Sequence, residues 1–308
     1  MKHFLLLSVA MLLFAAGCDR EPCPLCTEET PPRHLRLELS GMTPPTKGEA
    51  ADALLYVFSR SGALVGCHRS SEGRFDFYLT DETYDFVAVA GKDDLPEADV
   101  SREQLFDTVT TLDDNAADRL VMVGRLDNHV IDADEKITVE VRRVAAMVTY
   151  TLHTAFQGSL AQVPFSVDDV FMVNVVGENR LSLADSLPAA GARWYNRMDR
   201  EPDNGGPAGL LGGPVFYVYP NCSPDSHEKG RWESRCTRFV VKATLAGQTT
   251  YYPVTLEKVR SNHHYHVDLT VANFGVEHPE DLSGSRGSFD AAVTVASWIS
   301  GDALRGDY

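Results

Sequence analysis

Leu35, Leu37 and Leu39 alternate with Arg36, Glu38 and Ser40, and this two-residue rhythm returns in short runs along much of the chain. A strand turns successive side chains to opposite faces, so the spacing predicts sheet covered on one side, in runs too short for amphipathic helices. Further strands are expected at Ala53–Ser59, Gly62–Val65, around Phe75, Phe77 and Leu79, at Tyr84–Ala90, at Leu120–Gly124 and at Lys136–Arg142. Gly91 stops one run, and a Gly/Pro/Thr-rich loop follows the first. Roughly seven strands at that spacing are what a β-sandwich needs. Ser101-Arg-Glu-Gln104 has the form of a capping box before Leu105 and Phe106, so one short helix interrupts the strands.

A second unit opens at Arg143–His153 and continues through Val170–Val176, Phe216–Tyr219, Phe239–Leu245, Tyr251–Leu256 and Tyr265–Ala272, with Gly247 turning one hairpin. The stretch 185–213 is rich in Gly, Pro, Asn and Ala and reads as a long irregular insertion. The last run, Ser288–Ile299, is mostly apolar on both parities: Phe289, Ala291, Val293 and Val295 on one, Ala292, Thr294, Ala296 and Trp298 on the other. Such a strand wants cover on both sides, from its own core or from another molecule. With 308 residues the chain is long enough for two cores, and no short fixed repeat points to a solenoid or propeller.

At the N-terminus Lys2, the apolar run Phe4–Phe14 and Ala15-Ala16-Gly17 form a signal peptide over 1–17. Cys18 follows directly and resembles the acylated cysteine of a bacterial lipobox, so the mature protein is expected to be exported and tethered by lipid. Residues 18–33 hold four prolines and no apolar periodicity, as a spacer would. The formal net charge of −16, from 44 acids against 28 basic residues, argues against nucleic acid as a partner. Five cysteines remain beside Cys18; Cys222 and Cys236 are the disulfide candidates, Cys23 and Cys26 lie in the spacer, and Cys67 is left over.

An ordered set of motifs resembles the FimA-type fimbrillins of Bacteroidetes, subunits of type V pili. The matching pieces are Cys18; Arg142-Arg143-Val-Ala-Ala-Met-Val; Phe216-Tyr-Val-Tyr-Pro-Asn221; Tyr251-Tyr-Pro-Val254; Ser261-Asn-His-His-Tyr265; Gly275 and Pro279; and Val293 to Trp298. The resemblance implies two tandem transthyretin-like β-sandwich domains, 34–142 and 143–308. It also implies a lipoprotein precursor at the outer membrane, and assembly into a cell-surface fimbrium that supports adhesion. In that family a protease removes the first strand, and the C-terminal strand of a neighbour fills the groove. Here the removable strand corresponds to Leu35, Leu37 and Leu39, and the donor to 288–308, with Phe289, Ala291, Val293, Val295 and Trp298 carrying its apolar side chains. The family expects an Arg after the first strand, whereas the one basic residue between Arg36 and Arg60 is Lys47. Cleavage at Lys47, cleavage at Arg33 or Arg36, and no cleavage with retention of the lipid as an anchor all stay open. The partners implied are other fimbrial subunits and the outer membrane.

His263, His264 and His266 lack further ligands at metal spacing and read as an exposed strand edge. Asp132-Ala-Asp-Glu135 lacks the Gly and distal Glu of a calcium loop and reads as a solvated hairpin turn. No metal or cofactor is expected, and no Gly-x-Ser-x-Gly, phosphate loop or His-Glu-x-x-His suggests an enzyme. Thr108 and Ser186 follow aspartates as O-glycosylation acceptors do in this bacterial group. Arg305-Gly-Asp307 has the form of an integrin-binding tripeptide, and Trp194 with Tyr195 offers an aromatic pair to a host ligand if the chain is a surface binding module that does not polymerise.

Overall fold

The computed structural model describes residues 31–42, 52–115, 119–182, 193–199, 215–223, 236–279 and 289–298. The chain divides into Met1–Pro32 and a compact unit over Arg33–Tyr308, to which the following refers. Its strands in order are β1 Arg33–Ser40, β2 Ala53–Ser59, β3 Leu64–Ser70, β4 Arg74–Leu79, β5 Thr83–Ala90, β6 Val109–Thr111, β7 Met122–Val130, β8 Glu135–Arg143 and β9 Ala146–Thr154. They continue as β10 Phe165–Val176, β11 Glu178–Arg180, β12 Trp194–Asp199, β13 Phe216–Val218, β14 Thr237–Leu245, β15 Gln248–Leu256, β16 His263–Val271 and β17 Phe289–Ser297. The one α-helix among the described residues, α1 Arg102–Phe106, starts from the expected capping box, with Ser101 and Gln104 bonded reciprocally. No described helix is long and apolar enough to cross a membrane.

The first sheet runs β3-β2-β5-β7-β8-β1-β4 and folds back on itself where β7 and β8 pair only over Met122–Gly124 and Val141–Arg143. Leu35, Leu37 and Leu39 of β1, with Phe75 and Phe77 of β4, thereby face Leu55 and Val57 of β2 and Phe86 and Ala88 of β5 in one core. The opposite parity of β2 and β5, Leu54, Tyr56, Phe58, Val87 and Val89, enters a second cluster. That is why those strands are continuously apolar while β1 and β4 alternate. Leu105 of α1, Val144, Met147, Tyr217, Tyr219 and Trp298 join the same cluster. Gly91 closes β5 at φ +74°, where a Cβ would run into the Leu120 carbonyl.

The third core lies between the sheets β12-β10-β14-β15 and β13-β9-β16-β17. Ala246 at φ 52° and Gly247 at φ 78° make the tight β14–β15 turn. Two expectations are corrected. The 185–213 stretch is not wholly irregular: Trp194–Asp199 forms β12 and pairs with β10. His263–His266 do not lie on a sheet edge, because β16 is held between β9, parallel, and β17, antiparallel. Short β6 and β11, which pair with each other, also escaped sequence reasoning. At three residues each they carry too little periodicity to register.

Candidate functional site

β1 is an interior strand, antiparallel to β4 and parallel to β8, so main-chain ladders hold it on both sides. Leu35 and Leu37 are 0% and 1% exposed, and Leu39 is 9% exposed. Its outward face is charged. Glu38 bridges Arg74 of β4 at 3.6 Å and Lys136 of β8 at 2.6 Å, and Lys136 holds its carboxyl below the usual carboxylate range. Arg33 Nε donates to Asp81 Oδ1 at 2.6 Å, which likewise lowers the Asp81 pKa. His34 bonds Asp76, stacks on Tyr78, and donates its main-chain N–H to Asp134 Oδ1 at 2.9 Å. Of the three cleavage candidates, Arg33 is ion-paired, Arg36 lies within the β1 ladders, and Lys47 lies outside the described residues. β1 is therefore apolar inward and charged outward, seated between β4 and β8.

β17 presents the reverse case. It pairs with β16 over nine consecutive residues, and no described strand pairs with its other edge. The Ala155 N–H donates to the Val271 carbonyl, and the β9–β16 register carries that alternation along β16. Odd-numbered main-chain groups of β16 thus point to β9 and even ones to β17. By pairing, Asp290, Ala292, Thr294 and Ala296 bond β16, while the main-chain groups of Ala291, Val293 and Val295 face the free edge. The Trp298 N–H, donated to the Asn262 carbonyl at 2.9 Å, keeps the same phase. The side chains are little covered: Phe289 and Val293 pack partly on the third core, Ala291 is exposed, and Val295 is 49% exposed.

One residue past the strand, Trp298 is 6% exposed and belongs to a different cluster. Its ring stacks on Tyr217 with centroids 5.9 Å apart, and the Arg143 guanidinium lies 4.2 Å from its centroid. Arg143 also donates through Nη1 to the Trp298 carbonyl at 3.0 Å. Burial lowers the Arg143 pKa. This clip escaped sequence reasoning, because nothing local ties Arg143 to a partner 155 positions away.

The remaining candidates fall apart from these strands. The Thr149 hydroxyl bonds His264 Nε2 at 2.7 Å and His266 Nδ1 at 2.9 Å, and Thr151 bonds His266 Nε2 at 2.9 Å. Among the described residues no three His, Cys, Asp or Glu side chains gather as metal ligands. Asp132–Asp134 lies in the connection from β7 to β8. Cys236 is buried with its thiol 3.7 Å from the Leu256 carbonyl, and the Cys222 thiol is 3.8 Å from the Val259 carbonyl. Cys67 is half-buried on β3, and burial pushes its thiol up to about 11. The Thr108 hydroxyl donates to the Gln104 carbonyl at 3.3 Å. Tyr195 packs partly against the third core beneath Arg193. Cys18, Cys23, Cys26, Ser186 and Arg305–Asp307 lie outside the described residues.

No protein-family model matches the chain. The major fimbrium subunit FimC of Porphyromonas gingivalis is 28% identical over 149 residues, a match that covers 44% of this chain and 31% of that relative. The chain therefore spans under two thirds of the length of this curated relative. Among solved structures, a fimbrilin (FimA) from Porphyromonas gingivalis W83 superposes with a TM-score of 0.64 at 14% identity, covering 88% of this chain and 98% of that one. The tip fimbrial protein Mfa3 of Porphyromonas gingivalis, with C-terminal truncation, gives 0.58 at 14% identity over 87% of this chain and 100% of that one. At these identities the two structures speak for a shared fold. The chain is thus similar in sequence, over part of its length, to a major fimbrium subunit, and it shares its fold with a solved fimbrilin and a tip fimbrial protein.

Proposed function

We propose that this chain is a structural subunit of a cell-surface fimbrium, joined to its neighbours by strand exchange. The observations that carry the reading are an interior first strand whose leucines fill a slot between β4 and β8, and a last strand with one edge unpaired among the described residues. β1 fills an interior slot and is linked onward through the segment that contains Lys47. β17 is a nine-residue, mostly apolar strand with a free edge among the described residues. Cleavage in the 41–52 segment releases β1 and leaves two strand edges and three leucine pockets, which an extended strand from a neighbour fills by main-chain bonding. A head-to-tail contact of this kind does not close on itself, so it grows a filament. Two sandwich domains over 34–142 and 143–308 then serve as acceptor and donor, and the chain's role is mechanical, not enzymatic. Acylated Cys18 anchors the precursor in the outer membrane until cleavage.

The test uses envelope fractions from cells that make the chain. SDS-resistant ladders containing it are expected, along with their loss on deletion of 288–308 or on Lys47→Gln. A chain that stays monomeric with an intact N-terminus in every fraction overturns the proposal. Mass spectrometry of the mature N-terminus identifies a lipid-retaining anchor instead if acylated Cys18 persists within the ladders. A binding module built on the Trp194–Tyr195 pair is less favoured, because Tyr195 is turned partly into its own core.

A further inference from the structure

The slot and the strand meant to fill such slots are not matched in volume. β1 sets Leu35, Leu37 and Leu39 into a core where Phe75, Phe77, Ile137 and Val139 leave little room for adjustment. A donor must supply side chains of that size at three alternate positions, since a one-residue slip turns the other face inward. No window of 288–308 does so in either direction. Of the two wholly apolar windows, Ala291, Val293, Val295 puts about five fewer side-chain carbons into the slot than the leucines. It also sets Ala292 and Thr294 outward, where Glu38 now neutralises Arg74 and Lys136. A reversed strand with Phe289, Ala291 and Val293 inward restores an acid there through Asp290. That register, however, drops an alanine into the Leu37 pocket and forces a phenyl ring into the Leu39 site.

We infer that the strand accepted by this slot comes from a different subunit, with Leu-sized side chains at three alternate positions and an acid facing outward between two of them, and not from a second copy of this chain. The inference rests on the strand-exchange reading and names the partner it requires. Its consequence is a mixed filament, in which this chain sits between unlike neighbours and does not extend a run of its own kind. For the Ala291–Val295 window the shortfall in burial corresponds to weaker capture by on the order of a hundredfold or more, and the reversed Phe289–Val293 window meets a cavity at one site and a clash at another.

A refolding competition tests it. Full-length chain nicked in the 41–52 segment is unfolded in urea. It is then refolded with an equimolar excess of three peptides: residues 33–40, residues 288–298, and residues 288–298 carrying Ala291→Leu, Val293→Leu and Val295→Leu. Mass spectrometry of the native complex reads which peptide is held. Capture of the 33–40 and leucine peptides, with the unmodified 288–298 peptide about a hundredfold behind, is the expected result. Capture of the unmodified 288–298 peptide within tenfold of the leucine peptide overturns the inference and leaves strand exchange standing. Refolding that recovers only the chain's own β1 fragment, with no peptide held at any excess, overturns strand exchange and this inference with it.

Discussion

Replacing Trp298 by alanine removes the fastening at one end of β17 and leaves its ladder to β16 untouched. The ring is almost fully buried, stacked on Tyr217 and covered by Arg143, so its loss costs about 3–5 kcal/mol by the usual scale for large aromatic truncations. Elsewhere β17 has only Phe289 and Val293 partly packed, which leaves little else to resist local opening. Native-state hydrogen exchange reads the effect residue by residue. In the parent chain the amides of Ala292, Thr294 and Ala296 are expected to be protected and those of Ala291, Val293 and Val295 to exchange fast. In Trp298→Ala the protected set should lose about two to three and a half orders of magnitude, each 1.4 kcal/mol being tenfold, while β9 and β14 keep their protection. Unchanged protection of β17 refutes the fastening. Equal loss across β9, β16 and β17 refutes its local character.

Leu37→Ala is expected to cost about 3 kcal/mol in urea unfolding, since the side chain is 1% exposed between two ladders. His68 is stacked on Phe77 and its pKa is lowered by burial, so the unfolded chain binds the proton more readily. Its contribution is intact above the unfolded value near 6.5 and is lost as pH falls below it; His68→Asn should flatten the decline in melting temperature between about pH 7 and 5. Tyr219→Phe should cost about 1–3 kcal/mol by calorimetry, because the buried hydroxyl accepts from Asn115 Nδ2 at 2.8 Å and donates to the Thr111 carbonyl.

What the sequence discloses of this fold follows the range of the forces involved. The alternation in β1 and β4 is visible because each strand has one wet face, and the α1 capping box because its bonds close within four residues. The position of β1 between β4 and β8, and of β16 between β9 and β17, depends on pairings across scores of residues that no local pattern encodes. The histidines of β16 looked like an edge because their outward face is polar. Thr149 and Thr151 satisfy them from the adjoining strand, a contact with no footprint in local spacing. Trp298 reads as one more alternating residue of the last strand, yet its side chain enters the core that contains Leu54 and Tyr56.

The slot around β1 has one further property. Its walls are unlike: β4 runs against β1 and β8 runs with it. A replacement strand laid in the opposite sense would run with β4 and against β8, again one ladder of each kind. The ladder count of the slot is thus indifferent to the polarity of a strand laid in it, and only the volumes and charges of side chains would tell one direction from the other.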